Sequence, residues 1–248
     1  MLFTRMTCNA EIINGINVIW KENTTEQEKE VITNILLNMV YVDGGTFVMG
    51  EDDCRINECK PAHKETVNSF KINKYEVTQK EYETIMGRNP SACKGENNPV
   101  DEVSWFDCQN FIKRINTIAS INLRLPTEAE WEFAARGGNK SKGYKYSGSD
   151  YLNDVSWNLS NINYLDFHGS KPIGLLEPNE LGLYDMSGNI MEIMGDRWRE
   201  NYETNFFWDS KVALKGGCWQ YKAGFQPWWR ADFGKINTSD KIGFRLAM

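Results

Sequence analysis

Apolar residues recur at helical spacing in four stretches of the chain, and each stretch opens on a hydroxyl residue. Thr25 is followed three positions later by Glu28, Thr78 by Glu81, and Thr127 by Glu130. In such a pair the hydroxyl accepts from an orphan backbone N–H and the carboxylate accepts from the cap residue's own N–H, so each pair marks a helix start. The first helix carries Val31, Ile32, Ile35, Leu36 and Met39. The second carries Tyr82, Ile85 and Met86 and stops at Gly87. The third carries Trp131, Phe133 and Ala134 and ends at the left-handed pair Gly137-Gly138. A fourth starts at Ser104 and runs through Phe106, Phe111, Ile112 and Ile115. Short strands are expected at Met39–Val42, Thr46–Met49, Val67–Ile72, Val212–Leu214 and Gly243–Leu246, separated by turn-rich stretches such as Asp43-Gly44-Gly45 and Pro178-Asn179-Glu180. Helices come early and loops dominate late, which is not the regular alternation of a doubly wound sheet. With no Pro/Ser-rich linker after about residue 40, the pattern reads as an N-terminal extension with one helix, residues 1–38, and one compact domain, residues 39–248.

Composition narrows the function. A chain of 248 residues, 41% hydrophobic and 25% charged, is an ordinary globular protein that needs no metal or disulfide to hold its core. A net charge of -6 disfavours binding to a phosphate backbone, so no nucleic acid partner is expected. Only two histidines, His63 and His168, exclude a mechanism built on three imidazole ligands. No run approaches the ~18 apolar residues of a spanning helix. Met1 to Cys8 is too short for the apolar region of a signal peptide. Cys8 reads either as a free arm cysteine or, if a longer leader precedes it, as the residue that carries a lipid anchor. Cys54, Cys59 and His63 have metal-like spacing without a fourth ligand in view, and a local disulfide or two unpaired loop thiols are the alternatives.

The segment RLPTEAEWEFAARGG, residues 124–138, resembles the signature of the formylglycine-generating enzyme, or sulfatase-modifying factor, family. Other blocks agree in order: MVYVDGGTFVMG at 39–50, KYEVT at 74–78, NPVDEVSW at 98–105, GLYDMSGN at 182–189, GGCW at 216–219 and IGFRL at 242–246. The resemblance implies an α+β fold of the C-type-lectin-like kind, loop-rich, with a small twisted sheet and two main helices.

Fold does not carry function, so the site is read separately. The family's oxidases bind copper with a cysteine pair beyond the block that ends in Trp219. Here no cysteine follows Cys218, and one thiol cannot make a two-thiolate site. Cys218 itself reads as a small buried residue. The related sulfoxide-forming members use iron on three histidines, which this chain lacks. No catalytic residue is therefore assigned. Glu128 and Glu132 share a helix face, but capping and the helix dipole account for the acidic first turn. In Gly188-Asn189-Ile190-Met191-Glu192, Met191 and Ile193 stand where the family has Trp. What remains is Asn189 with Glu192, oxygen donors that help bind calcium in relatives, so calcium is the one ion the resemblance implies.

Aromatic residues concentrate late. Of the chain's 31, 10 fall in the 32 residues from Tyr202 to Phe233, where even spreading would place about 4. They follow neither strand nor helix periodicity and alternate with charged and amide residues, the composition of a recognition surface. We expect Tyr202, Phe206, Phe207, Tyr221, Phe225, Trp229 and Phe233 to project into solvent, with Lys222, Arg230 and Asp232 between them. These ten residues form the candidate ligand site, within a variable segment at about 199–241. The core is expected elsewhere, around Trp105, Phe111, Leu125, Trp131, Phe133, Leu183, Tyr184, Phe244 and Leu246. The late cluster and the closing Gly243-Phe244-Arg245 strand resemble a second branch of the fold, the variable proteins of diversity-generating retroelements. That branch implies a non-catalytic, receptor-like protein at the cell surface, lipid-anchored through Cys8, binding a protein or glycan on another cell or host surface. The alternatives are an oxidase with an atypical thiol site, a sugar-binding lectin, and a cytoplasmic location.

Overall fold

The structure, a computed structural model, describes residues 10–162 and 169–248. Cys8 and His168 lie outside the described residues. The chain opens on a hairpin, β1 (Ala10–Ile13) and β2 (Ile16–Ile19). Its turn is Asn14-Gly15, both residues at positive φ (50° and 74°), the conformation a two-residue hairpin loop demands and the reason Asn-Gly favours it. Helix α1 (Glu26–Leu37) follows, then β3 (Met39–Val42), β4 (Gly45–Met49), β5 (His63–Val67) and β6 (Phe70–Asn73). The helices α2 (Gln79–Met86), α3 (Trp105–Ala119) and α4 (Glu128–Ala135) come next, with α5 (Leu152–Val155) a single turn. The last third holds β7 (Met191–Trp198), β8 (Trp208–Lys215), β9 (Ala231–Gly234) and β10 (Ile242–Gly243). These four form one sheet in the order β10-β7-β8-β9. β10 runs parallel to β7, and the other two pairings are antiparallel. The result is a loop-rich α+β fold with small sheets and two principal helices, α1 and α3, as expected.

All three predicted capping boxes form, and Ser104 with Asp107 makes a fourth at the head of α3. Two strand expectations change. The run 67–72 breaks at Asn68-Ser69: β5 pairs with β4, while β6 pairs with β3. The Ser69 hydroxyl accepts from the Gly44 N–H at 3.0 Å, which holds the break in place. At the C-terminus only Ile242–Gly243 is strand. Phe244 instead accepts from Val77 in a loop, and Leu246 from Asn73 at the end of β6, so the tail is held by isolated bridges, Ala247 opposite Ile72 and Arg124, rather than by a named strand.

The main core joins residues from both ends of the chain. Ile13, Ile16, Val18, Trp20, Ile32 and Leu36 pack with Phe111, Ile115, Phe244 and Leu246 in one cluster. Residues 10–38 therefore share their core with the domain that follows. Asn14 strengthens the join by donating its amide to the carbonyls of Leu36 and Met39, both at 2.8 Å, at the end of α1. A second cluster, around Trp131, Phe133, Leu183, Met194 and Trp198, lies between α4 and the four-stranded sheet. Of the expected core, Phe111, Leu125, Trp131, Phe133, Leu183, Phe244 and Leu246 are buried, and Trp105 and Tyr184 are half-buried. Phe106, read as part of the apolar face of α3, is exposed.

Two buried carboxyls, Asp101 and Asp185, and the half-buried Asp196 tie stability to pH. Burial raises Asp101 from 3.8 to about 7 and Asp185 and Asp196 to about 6. A group whose pKa is raised on folding adds stability below its unfolded pKa and loses it as pH climbs through the folded value. Stability should therefore decline from about pH 4 to pH 7. Asp101→Asn keeps the oxygen that accepts from the Ala92 N–H and should flatten the Asp101 part of that slope. Urea unfolding at several pH values checks it, and an unchanged slope in the variant contradicts the assignment.

Candidate ligand-binding surface

Helix α4 places two acids, Glu128 and Glu132, on its buried face, and each finds a cation from the late half of the chain. Arg230 grips Glu128 with two donors, Nε on Oε1 and Nη2 on Oε2, the latter at 2.8 Å. Lys215 on β8 donates to Glu132 at 2.9 Å, and Arg136 donates to the same carboxylate at 2.8 Å. Glu130 stays at the helix entrance, capping Thr127 and pairing with Arg124 at 2.6 Å. The expectation of one shared face for Glu128 and Glu132 holds, but their role is ion pairing with β8 and Arg230. Burial raises the proton affinity of Glu128, yet the charges of Arg230 and Lys215 outweigh it and hold the carboxyl below its usual value.

Arg230 gathers the surface above it. Its Nη1 donates to the Glu58 and Arg199 carbonyls, each at 2.9 Å. Its guanidinium lies 4.1 Å from the Trp198 ring and 4.7 Å from the Tyr202 ring. Tyr202 donates its hydroxyl to Glu128 at 3.2 Å, meets His63 at a tilt with ring centroids 4.7 Å apart, and donates its N–H to the Lys60 carbonyl at 2.8 Å. Gly50 makes room for this ring. At φ 85° a Cβ there would meet the Cys59 carbonyl at 2.6 Å and Tyr202 at 3.0 Å. Cys54 and Cys59 are joined by a disulfide, which removes both from any metal reading and leaves His63 to its ring contact.

The ten candidate residues therefore divide. Tyr202, Phe225, Phe233 and Arg230 are buried, against expectation. Phe225 closes over Gly217, where a Cβ would stand 2.7 Å from its ring. Phe233 faces Val212 across β8 and β9 within the main core. Tyr221 and Trp229 are half-buried and meet edge to face at 6.1 Å. Phe206, Phe207, Lys222 and Asp232 are exposed. The aromatics were expected to be free of packing because the scaffold has a core of its own, but a second core under late loops needs large residues too, and the late segment supplies them.

The structure adds Trp208 and Arg197 to the exposed set, with Lys211 half-buried beside them. Phe206, Phe207 and Trp208 are 61%, 39% and 36% accessible, three successive aromatics at the β7–β8 turn. Phe206 meets Trp208 edge to face at 5.3 Å. Arg197 lies 5.2 Å from the Phe207 ring and Lys211 5.1 Å from the Trp208 ring. Both cations are already neutralised, Arg197 by Asp209 at 2.8 Å and Lys211 by Asp232 at 2.7 Å. The change from polar Asp209-Ser210-Lys211 to apolar Val212-Ala213-Leu214 was the available signal, since it matches a strand that starts exposed and ends buried.

Calcium does not fit the pair assigned to it. Both Glu192 oxygens accept from Arg245 at 2.7 Å, and Oε2 also accepts from the Trp131 indole at 2.8 Å. A cation at Glu192 would lie against a guanidinium. Asn189 spends its Oδ1 on the Lys171 N–H and its amide on Glu76 and the Lys171 carbonyl. Trp131→Phe keeps the ring packing and removes one charge-assisted donor, so it should cost about 1.5–3 kcal/mol in urea unfolding. A cost near zero would mean that the indole contact carries no stability.

The two buried free thiols, Cys108 and Cys218, are not poised as nucleophiles. Burial pushes Cys218 up to about 12 and Cys108 well above the ordinary thiol range, so both are protonated at neutral pH.

Comparison with known proteins agrees with the fold. The model of the sulfatase-modifying factor enzyme 1-like domain matches residues 24–248. The chaperone protein LppX of Paenibacillus barcinonensis is 33% identical over 233 residues, covering 75% of this chain and 80% of the relative. The formylglycine-generating enzyme of Mus musculus is 25% identical over 285 residues, covering 86% and 75%. Among solved structures, Treponema denticola variable protein 1 superposes with a TM-score of 0.73 at 22% identity, covering 96% of this chain and 97% of that one. The likeness to a variable protein suggested by the closing strand is thus present as a likeness of fold.

Proposed function

This chain belongs to the sulfatase-modifying factor family, and within it we propose a non-catalytic, receptor-like member that binds its ligand through the β7–β8 turn. The observation that carries the reading is the division of labour in the late segment. Phe206, Phe207 and Trp208 stand exposed, while Arg230 and Tyr202 fix the backbone beneath them. Exposed contiguous aromatics on a fixed base mark an interaction site. The reading without catalysis rests on the thiols: Cys218 is single and no cysteine follows it.

Within the segment 199–241 we assign display to Phe206, Phe207, Trp208, Lys222 and Asp232, and anchoring to Tyr202, Phe225, Arg230 and Phe233. Diversification would act on the first set. The fold likeness to a variable protein supports this reading. A polypeptide is the ligand we favour. Arg197 and Lys211 beside the turn are neutralised, leaving a largely apolar contact, and the 33% identical relative is named a chaperone protein, a role that consists of binding polypeptide. We place the protein at the cell surface, anchored by a lipid on Cys8. Among the described residues no helix is long and apolar enough to cross a membrane.

The test replaces Phe206, Phe207 and Trp208 together by Ser. Surface changes of this kind cost roughly 0.5 kcal/mol each or less, so the melt should move by only a few degrees. Retention of a displayed random-peptide library by the wild-type protein should be lost in the variant. A glycan array bound in place of the peptides would move the ligand to sugars. Stoichiometric copper binding with oxygen uptake on a cysteine-containing peptide would restore the oxidase.

A further inference from the structure

The charge around the aromatic turn is lopsided. On one side Arg197 and Lys211 are paired with Asp209 and Asp232. On the other, the loop from Glu51 to Lys60, crossed by the Cys54–Cys59 disulfide, carries four acidic residues against two basic ones, and the turn itself adds Glu200 and Glu203 against Arg199. Among the described residues Asp52, Asp53, Glu200 and Glu203 have no ion-pair partner, and all four are exposed. Between loop and turn lies a cleft of about 300 Å³ lined by Asp52, Asn57, Lys60, Pro61, Asn201 and Glu203. It is joined to the aromatics by the chain itself. Thr204, two residues before Phe206, donates its N–H to Asn201 at 2.9 Å, and the Thr204 hydroxyl accepts from the Phe206 N–H at 3.2 Å.

The cleft has fixed walls. The Lys60 carbonyl accepts from Tyr202, and Arg230 holds both the Glu58 and Arg199 carbonyls. Loop and turn are thus tied to one guanidinium, and a ligand meets them together at little ordering cost.

Resting on the reading of the turn as the ligand site, we propose that the partner is a basic polypeptide segment, one that sets an Arg or Lys in the Asp52–Glu203 cleft and a neighbouring apolar side chain on Phe206, Phe207 and Trp208. Two unpaired carboxylates with the Asn57 and Asn201 amides suit the donors of a guanidinium or ammonium. Adjacent aromatic faces favour the same cation, as the approach of Arg197 to Phe207 already shows within the protein. Lys60 is the one cation in the lining and is outnumbered by the two carboxylates beside it. An acidic segment would meet these carboxylates as like charges, so the surface selects against it.

The experiment selects peptides from a displayed random library on the wild-type protein and on Asp52→Asn/Glu203→Gln. The amides keep the shape and the Oδ1 that accepts from the Ala62 N–H, so the variant should melt as the wild type does. The expected peptides pair Lys or Arg with a large apolar residue. Synthetic copies should bind the variant on the order of 5- to 10-fold more weakly, and their binding should fall as salt rises, since charges at a rim are screened over about 8 Å at physiological ionic strength. Peptides that require Phe206 and Trp208 but show no basic bias, or bind the amide variant equally well, overturn the inference and leave the turn as the ligand site. A library that yields nothing dependent on the turn overturns both.

Discussion

Arg245→Met should remove about 3–5 kcal/mol of stability, the usual cost of stranding one partner of a buried ion pair. That is a large share of the roughly 5–15 kcal/mol that holds a domain together. Arg245 is fully buried and makes five hydrogen bonds: two to Glu192 and one each to the Asn73, Lys74 and Tyr184 carbonyls. It binds the C-terminal tail to β7, to the end of β6 and to the loop before β7. Methionine fills much of the volume and satisfies none of these acceptors. The surroundings make the loss worse. Burial, reinforced by the charges of Asp185 and Glu192, already pushes Glu76 well above its ordinary pKa, and removing Arg245 takes away the positive charge that opposes this. Replacing both residues, as Arg245→Met with Glu192→Leu, should cost less than Arg245→Met alone, because no buried charge is left without a partner. Urea unfolding of the two variants decides the matter. A single variant within about 1 kcal/mol of the wild type would show that this pair does not hold the tail.

Much of this architecture could be read from residue order. Thr25, Thr78, Ser104 and Thr127 marked their helices because capping is local chemistry, complete within four residues. Gly137, at φ 90°, closed α4 for the same reason. The first hairpin carried a local signal in Asn14-Gly15, which reading residues 1–38 as an extension with one helix passed over. What local pattern could not supply was the partner of each buried charge. Glu192 and Asn189 look like oxygen ligands until Arg245, 53 residues further on, and Glu76, 113 residues back, are seen to occupy them. Arg230 looks like a surface charge among aromatics until Glu128, 102 residues earlier, appears beneath it. Density of aromatics located the right region of the chain, but exposure depends on what lies opposite. Phe233 sits across from Val212 and is core, whereas the successive Phe206 and Phe207 lie in a turn and are not.

Arg230→Met should be the most damaging change within the late segment, again about 3–5 kcal/mol, because it takes the two-donor cation from buried Glu128 and leaves it only Lys215, 3.9 Å away, and the Tyr202 hydroxyl. The same change releases the Glu58 and Arg199 carbonyls and removes the cation held between Trp198 and Tyr202. Arg230→Lys keeps the charge but loses the planar fork that serves a carboxylate and two carbonyls at once, so it should recover only part of the loss. The consequence for the turn is separable from the loss of stability. In Arg230→Lys, protein that remains folded should show faster amide hydrogen exchange over residues 199–208 than the wild type, while α1 and α3 exchange as before. A binding surface that tolerates change needs this arrangement, since freedom at Phe206 or Lys222 is safe only while the backbone below them stays fixed. Randomising position 230 and selecting for folded protein should therefore return Arg, whereas the same selection at position 206 should return many residue types. If position 230 proves as permissive as position 206, the backbone of the turn is held by something other than this guanidinium, and the division between anchors and display residues fails at its centre.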